Sequence, residues 1–376
     1  MATRRLVLLF DGTWNKPESN TNVERLRQLI AAQDADGNPQ LLNYIAGVGV
    51  SAGISHLLGG AFGYGLSGHV RDGYRWLCET WQPGDQLYLF GFSRGAYTAR
   101  SLGGMIRKCG LLRRGADGKV AAAEIVAAYA FYRDGATKPG DPAAVEWRAR
   151  RAIEIAIHFI GVWDTVGALG IPDTASWFPF ARARYQFHDT ELSKIVRYAY
   201  QALALDEHRA DFAPTVWTRN PDTLKPGESL TAKKPEQVEI EQRWFIGAHG
   251  DVGGGYLRDG AGRRPDPLPE LPLAWLQRKA IAAGLGCSAQ VVPAADANTG
   301  VPRNSYAEFM GGLYRLFKPP FDRTFGTGVN EKVDDSVWQR WLADPGYRSP
   351  TLAHALARGA VLMSIEAVVP PAPRPA

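Results

Sequence analysis

Short apolar runs that end in polar or glycine-rich turns recur along the chain. They cover residues 6–10, 41–47, 86–92, 153–163 and 242–247. Most of these runs are apolar without strict alternation, which is typical of parallel strands that are buried on both faces. The pattern therefore predicts the strands of a central, mostly parallel sheet.

Apolar residues at helical spacing separate these runs and predict helices at about 21–32, 66–81, 94–109, 120–133, 192–207 and 273–283. Strands that alternate with helices indicate an α/β fold with helices on both faces of the sheet. We expect one main domain, with two insertions and a C-terminal extension packed on it. The boundaries are 1–290 for the domain, about 111–150 and 171–235 for the insertions, 291–365 for the extension and 366–376 for a disordered tail.

The stretch from residue 86 to residue 100 carries the strongest chemical signal. A predicted strand runs into G-x-S-x-G, with Ser93 between Gly91 and Gly95, and a predicted helix starts at once. This order is that of a nucleophile elbow, in which a tight turn exposes the serine hydroxyl and leaves no room for side chains two residues away. The Arg94 N–H, at the start of the helix, is then a candidate donor to an oxyanion. An ordinary strand-to-helix loop is the alternative, and the flanking elements favour the nucleophile.

Two further predicted strands end in residues that could complete such a site. Asp164 follows the run at 153–163, and His249 follows the run at 242–247 in a glycine-rich loop. Serine needs a base, and histidine needs a carboxylate to fix its tautomer and stabilise the imidazolium. The order Ser93, Asp164, His249 is the chain order of the α/β-hydrolases. The sequence therefore predicts an α/β-hydrolase-like fold with this triad.

Several neighbouring residues keep two interpretations open. Asp11 ends the first strand and either holds its own turn or acts directly, while the N–H groups of Gly12 and Thr13 are candidates for the second oxyanion donor. Asp251 orients His249, binds a cation or caps the following loop. Pooling Asp11, Asp164 and Asp251 with His249 would give a metal site, but the chain has no H-E-x-x-H or comparable spacing. We expect neither a metal nor a cofactor.

Composition narrows the class of protein. The 376 residues are 45% hydrophobic and carry a net charge of +5 on scattered Lys and Arg, so nucleic acid is not indicated as a partner. This charge is compatible with transient contact to an anionic membrane surface. No apolar run approaches the roughly 18 residues of a membrane span, and no signal-peptide h-region is present. We expect a protein that is cytoplasmic as made, with export open only by a leaderless route.

Four motifs together resemble one family in order and spacing. They are L-L-F-D-G-T-W-N at 8–15, Y-L-F-G-F-S-R-G-A-Y-T-A-R at 88–100, G-V-W-D-T-V-G-A-L-G at 161–170 and W-F-I-G-A-H-G-D-V-G-G-G-Y at 244–256. The family is the catalytic domain of the type VI secretion phospholipase effectors, and the resemblance spans about residues 6–285. A further family pattern, H-A-L-A-x-D-E-x-R, appears here as Y-Q-A-L-A-L-D-E-H-R at 200–209.

The resemblance implies a lipase-like esterase that acts on phospholipids, with Ser93 as nucleophile, Asp164 as acid and His249 as base. It also raises an immunity or secretion partner, which the sequence does not identify. Independently of the resemblance, the glycine content of residues 47–68 predicts a mobile loop beside the site, which could act as a lid. The aromatic-rich stretch 172–187 lines an acyl-chain pocket or forms a local core.

We therefore expect a serine esterase or lipase that works through an acyl-enzyme. The alternatives on the same machinery are a non-lipid carboxylesterase and an acyltransferase. From other classes, a catalytically silent binding module on a hydrolase fold and a metal-dependent hydrolase remain open.

Overall fold

The structure is a computed structural model that describes residues 3–12, 15, 17–47, 61–167, 191–224, 226, 228–255 and 267–357. Its strands are β1 (Arg5–Phe10), β2 (Gln40–Ile45), β3 (Gln86–Phe92), β4 (Leu111–Leu112), β5 (Ala152–Ile153), β6 (Ile157–Trp163), β7 (Val196–Ala204), β8 (Glu239–Phe245) and β9 (Glu331–Val333).

The α-helices are α1 (Asn22–Leu29), α2 (Ala61–Thr80), α3 (Arg94–Cys109), α4 (Ala122–Arg133), α5 (Pro142–Arg151), α6 (His249–Gly253), α7 (Glu270–Ala282), α8 (Ser305–Glu308), α9 (Asp335–Ala343) and α10 (Pro350–Ala357). A longer 3₁₀ segment, Phe309–Leu316, follows α8 directly.

The central sheet has seven strands in the order β2-β1-β3-β6-β7-β8-β9, and every neighbouring pair in it is parallel. Two short strands, β4 and β5, form a separate antiparallel pair. The predicted α/β fold with a parallel sheet and helices on both faces is therefore confirmed.

Strand β1 shows why its sequence forms a central strand. All six of its residues are buried, and alternate side chains enter two different cores. Leu6, Leu8 and Phe10 pack with residues of α2 and α3, whereas Val7 and Leu9 pack with residues of α1 and α7. A run without polar alternation is the expected sequence of a strand that is covered on both faces.

The strand order places the polar strand ends at a common edge. β1 lies between β2 and β3, so the direction in which the chain adds strands reverses beside β1. In open parallel sheets, ligands bind outside the carboxyl ends of the strands at such a switch point. Asp11, Ser93 and Asp164 follow β1, β3 and β6 at this edge.

One predicted element is wrong. The helix expected at 192–207 is instead the strand β7, which pairs with β6 and β8 in the middle of the sheet. Its alanines and leucines favour a helix, but Val196, Tyr198 and Tyr200 favour a strand. A short run that is apolar throughout shows neither helical nor strand periodicity. The strand forms here because the segment is buried between β6 and β8.

The predicted boundaries change with β7. The stretch 171–235 cannot be an insertion throughout, because β7 lies within it and belongs to the central sheet. The C-terminal extension also contributes a strand to the central sheet, because β9 pairs in parallel with β8.

The three cysteines are free thiols, with Cys78 and Cys109 buried. None of the helices that the structure describes has the length and apolar content needed to cross a membrane. Most of the predicted glycine-rich loop, the aromatic-rich stretch 172–187 and the predicted tail lie outside the described residues.

Candidate active site

Ser93 occupies the turn between β3 and α3 with φ 57° and ψ −122°. Residues other than glycine rarely adopt this backbone conformation, which costs about 1–3 kcal/mol. The Ser93 N–H donates to the carbonyl of Trp163 at 3.0 Å, which ties the turn to the end of β6. Ser93 therefore lies in a strained strand-to-helix turn of the kind that a nucleophile elbow requires.

The two glycines of G-x-S-x-G are required by close backbone contacts. A Cβ atom on Gly95 would lie 2.1 Å from the carbonyl oxygen of Phe10, at the end of β1. A Cβ atom on Gly91 would lie 2.5 Å from the carbonyl oxygen of Gly95. The glycines thus allow α3 to start directly against β1 and β3.

The structure brings Ser93, His249 and Asp164 into one hydrogen-bonded chain. His249 Nε2 lies 2.8 Å from Ser93 Oγ, and His249 Nδ1 lies 2.6 Å from Asp164 Oδ2. All three residues are buried. His249 is the first residue of the short helix α6, not part of an open loop, and Asp164 leaves β6 with φ 39°.

A buried arginine contacts both oxygens of the Asp164 carboxylate. Arg323 Nη1 donates to Asp164 Oδ1 at 2.6 Å, and Nη2 donates to Oδ2 at 2.9 Å. The Ala204 N–H also donates to Oδ1, at 2.9 Å. Burial by itself raises the pKa of Asp164, but Arg323 and His249 outweigh it and hold that pKa well below its usual range.

A second buried ion pair supports the backbone of His249. Glu207 accepts the His249 N–H at 3.2 Å, the Arg209 side chain at 2.9 Å and the Ser305 hydroxyl at 2.9 Å. Burial opposes the charge on Glu207, but the contacts to Arg209 prevail and lower its pKa to about 2. Glu207 is therefore a carboxylate that helps to fix the start of α6.

Aromatic rings enclose the imidazole. The centroid of the Phe92 ring lies 4.7 Å from that of the His249 ring in a tilted arrangement, and the Phe212 and His249 rings form a T-shaped pair at 5.0 Å. The Arg209 guanidinium covers Phe212 at 3.5 Å. Burial lowers the pKa of His249, against the opposing effect of Asp164, so the free imidazole stays neutral at neutral pH and is able to accept a proton.

The first secondary candidate, Asp11, is engaged in holding its own turn. Its carboxylate accepts the Gly12 N–H at 2.7 Å, the Thr21 hydroxyl at 2.7 Å and the Tyr44 hydroxyl at 2.8 Å. Because the Gly12 N–H donates to Asp11, it is not directed at a substrate in this structure. Thr13 lies outside the described residues. Burial raises the pKa of Asp11 despite these hydrogen bonds.

The other secondary candidate, Asp251, closes the start of α6. Its Oδ2 atom accepts the Ala248 N–H at 2.8 Å and the Arg303 N–H at 3.0 Å. A Cβ atom on Gly247 would lie 2.4 Å from the Cβ of Asp251, so the turn before His249 is packed against this side chain. Within the described part of the chain, no cluster of His, Cys, Asp and Glu is arranged to hold a metal ion.

Arg323, Glu207 and Arg209 were not singled out from the sequence. Arg323 comes from the C-terminal extension, 159 residues beyond Asp164, where no periodic pattern draws attention to it. Glu207 and Arg209 do belong to a stretch quoted for the family resemblance, D-E-H-R at 206–209. A charged pair directly after a buried strand was the available signal, and the assignment of that strand as a helix concealed it.

Comparison with known proteins agrees with the motifs. The family described as "T6SS, Phospholipase effector Tle1-like, catalytic domain" matches residues 4–279. The uncharacterized protein YEL023C of Saccharomyces cerevisiae is 32% identical over 239 residues, which are 58% of this chain and 33% of that protein. The chain therefore spans about a third of the length of this relative.

Among solved structures, the crystal structure of an uncharacterized protein from Pseudomonas aeruginosa matches with a TM-score of 0.42 and 17% identity. The match covers 99% of this chain and 60% of that one.

Proposed function

The chain belongs to the family of type VI secretion phospholipase effector Tle1-like catalytic domains, and on that premise we propose that it is a serine hydrolase of phospholipid carboxylic esters. The family supports a lipid substrate. The observation that carries the proposal of a serine mechanism is the chain of contacts from Ser93 Oγ through His249 to Asp164, at 2.8 and 2.6 Å.

In the first half of the reaction, Ser93 Oγ attacks the ester carbonyl carbon while His249 Nε2 accepts the hydroxyl proton. The carbonyl oxygen becomes an oxyanion in the tetrahedral intermediate. When this intermediate collapses, the C–O bond to the lipid alcohol breaks and His249 returns the proton to the departing oxygen. The products of this half are an acyl-Ser93 ester and a lipid with one acyl chain fewer.

In the second half, water replaces the lipid alcohol. His249 accepts a proton from the water as its oxygen attacks the acyl carbon, and the bond to Ser93 Oγ breaks with return of the proton to that atom. A free fatty acid leaves. Asp164, with its charge retained by Arg323 and His249, holds the Nδ1–H tautomer of His249 throughout.

The Arg94 N–H is the proposed first donor to the oxyanion. Arg94 opens α3 directly after Ser93, at the helix end that carries the positive end of the helix dipole. A second donor is expected from the loop after β1. Since the Gly12 N–H is bonded to Asp11, the Thr13 N–H is the remaining candidate from the sequence.

The test is intact-mass spectrometry after treatment with a fluorophosphonate, on the wild type and on Ser93→Ala. We expect a single adduct on the wild type and none on the variant. Ser101→Ala is the matched control, because Ser101 is also a buried serine of α3 and should leave labelling unchanged. Absence of an adduct on a folded wild type would favour a silent binding module, or a metal-dependent hydrolase if activity is lost to a chelator.

Substrate class is tested separately. Protein that takes the fluorophosphonate label is incubated either with phospholipid vesicles or with soluble short-chain esters. The release of fatty acid is then measured. Faster turnover on vesicles supports a phospholipase. Equal turnover of soluble esters far below any micellar threshold supports a non-lipid carboxylesterase or an acyltransferase instead.

A further inference from the structure

Three large apolar side chains are exposed close together in the C-terminal extension. Leu313, Leu316 and Phe317, here called the 313–317 patch, are 53%, 75% and 68% exposed. Leu313 and Leu316 lie in the 3₁₀ segment Phe309–Leu316, where residues three apart stack on the same side. Exposed apolar clusters of this kind mark interaction surfaces more often than single exposed residues do.

The segment beneath the patch is firmly anchored. Tyr314, between two of the exposed side chains, is buried, and its hydroxyl donates to Asp211 at 2.9 Å. Lys318 donates to the same carboxylate at 2.6 Å. The patch therefore presents its side chains to solvent from a fixed backbone.

The same segment is connected to the candidate active site by ring contacts. Phe309, at its start, meets Phe212 edge-on at 6.1 Å, and Phe212 meets the ring of His249 at 5.0 Å. Tyr314 also packs edge-on against Phe309, at 5.5 Å. The segment that carries the patch is thus packed against an element that contacts His249.

The charge of the patch indicates the nature of its partner. Arg315 is exposed between Leu313 and Leu316, and within the described part of the chain no carboxylate forms an ion pair with it. The whole chain carries a net charge of +5. Apolar side chains with interspersed basic residues bind at the boundary between headgroups and acyl chains, most strongly on anionic lipid.

We propose that the 313–317 patch docks the protein on an anionic phospholipid bilayer, with Leu313, Leu316 and Phe317 inserted below the headgroups. The choice of a bilayer as the occupant rests on the proposed function, because a phospholipase must meet its substrate at such a surface. Docking there would bring the ester bonds of the lipid to the side of the protein that holds His249.

The test is co-sedimentation with vesicles of phosphatidylcholine, with and without phosphatidylglycerol, on a Ser93→Ala background that leaves the lipid intact. We expect Leu313→Ser/Leu316→Ser/Phe317→Ser to weaken binding by about tenfold or more. Arg315→Glu should weaken binding to the anionic vesicles only. The control, Val126→Ser/Val145→Ser/Leu230→Ser, removes three apolar side chains outside the patch that are 50%, 48% and 45% exposed, and it should bind as the parent does.

Two results would overturn the docking surface: no vesicle binding by the parent, or equal binding by the triple patch variant. A dimer in sedimentation velocity that only the patch substitutions dissociate, without vesicle binding, would assign the patch to self-association instead. Soluble-ester turnover separates this proposal from the proposed function. Vesicle binding without any turnover would refute the esterase and leave the surface standing.

An independent observation concerns Arg323, whose guanidinium contacts both carboxylate oxygens of Asp164 at 2.6 and 2.9 Å and is buried with it. Oδ2 is the same atom that faces His249 Nδ1. Arg323 also donates to the carbonyls of Ala204 and Phe212, at 2.8 and 2.7 Å, so its position is fixed by β7 and the segment after it.

We infer that Arg323 is a positioning residue of the proposed reaction, which fixes the Asp164 carboxylate and draws part of its negative charge away from His249. A less available carboxylate stabilises the imidazolium less, so His249 stays a neutral base at lower pH. The charged groups that act on His249 from its surroundings are Asp164, Glu207 and Arg209, with Asp251 on its own helix. Arg323 contacts Asp164 and acts on His249 through that carboxylate.

The test measures the rate of fluorophosphonate labelling against pH for the wild type, Arg323→Gln and Arg323→Lys. In the profile of labelling rate against pH, we expect the acidic limb of Arg323→Gln to move to higher pH by about one unit. The reason is that the cation that competes with His249 for the Asp164 carboxylate is gone. Arg323→Lys keeps the charge but loses the two-pronged contact, so it should label more slowly with its limb near that of the wild type.

An unmoved limb in folded Arg323→Gln would refute this role and leave a purely structural arginine. If that variant does not fold, the pH profile of the wild type tests the inference instead. An acidic limb with a midpoint above the ordinary histidine pKa of about 6.5 would contradict it. A wild type that takes no label at any pH refutes the serine mechanism itself, which is a separate outcome.

Discussion

Glu207 accepts the backbone N–H of His249 at 3.2 Å with a carboxylate that is fully buried. The same carboxylate binds Arg209, whose guanidinium covers the Phe212 ring that touches His249. The position of the proposed base is therefore set from two directions: Asp164 holds its ring nitrogen, and Glu207 holds its backbone.

Replacement of Glu207 by Gln should destabilise the protein by about 3–5 kcal/mol, because it leaves Arg209 buried without its counter-ion. Chemical denaturation gives the free energy of unfolding. Glu146→Gln is the control: it breaks the exposed pair with Arg150 and should cost less than about 1 kcal/mol. Equal effects of the two substitutions would show that the buried pair has no special weight.

The pH dependence of stability follows from the same carboxylate. The pKa of Glu207 in the folded protein, about 2, lies below its ordinary value of 4.5. Its contribution to stability is therefore complete above pH 4.5 and is lost as pH falls toward 2. Wild-type stability should fall through this window, and the fall should be smaller in Glu207→Gln. The test is to measure denaturation midpoints of both proteins between pH 4.5 and pH 2. Parallel curves of midpoint against pH would contradict the assignment of this stability change to Glu207.

The strand ends that carry Ser93, Asp164 and His249 could be predicted because each follows a buried apolar run, and parallel strands bring their carboxyl ends to one edge. Nothing in the local pattern could predict Arg323. Its contact with Asp164 joins β6 to the C-terminal extension and depends on the packing of the intervening chain. The spacing of apolar residues along the chain does not indicate which distant residue will pair with a buried charge.

Two other differences have local causes. β7 was predicted as a helix because its alanines and leucines suit both structures, and only its place between β6 and β8 selects the strand. The Gly12 N–H was a candidate oxyanion donor, but the carboxylate of the preceding residue, Asp11, captures it. A hydrogen bond of this kind, between a side chain and the N–H of the next residue, depends on the side-chain rotamer, which the sequence does not specify.

The elbow offers a test of backbone packing. Gly95→Ala places a Cβ 2.1 Å from the Phe10 carbonyl oxygen, so the turn must move, at a cost of about 1–3 kcal/mol or more. Fluorophosphonate labelling of Ser93 should fall with it. Gly68→Ala is the control, because Gly68 lies within α2 with no atom near its added Cβ, and the change should stabilise by about 0.5–1 kcal/mol. Thermal unfolding gives both signs, and destabilisation by both would contradict this account.

Asp251 and Asp164 should respond differently to loss of charge. Asp164→Asn removes the carboxylate that fixes the His249 tautomer, and labelling of Ser93 should fall by about 10⁴-fold. Asp251→Asn keeps an oxygen that can accept the Ala248 and Arg303 N–H groups, so labelling should stay within about tenfold of the wild type. Asp251→Ala loses those bonds and should cost about 1–3 kcal/mol of stability. A loss of labelling in folded Asp251→Asn as large as in Asp164→Asn would instead make Asp251 the acid that serves His249.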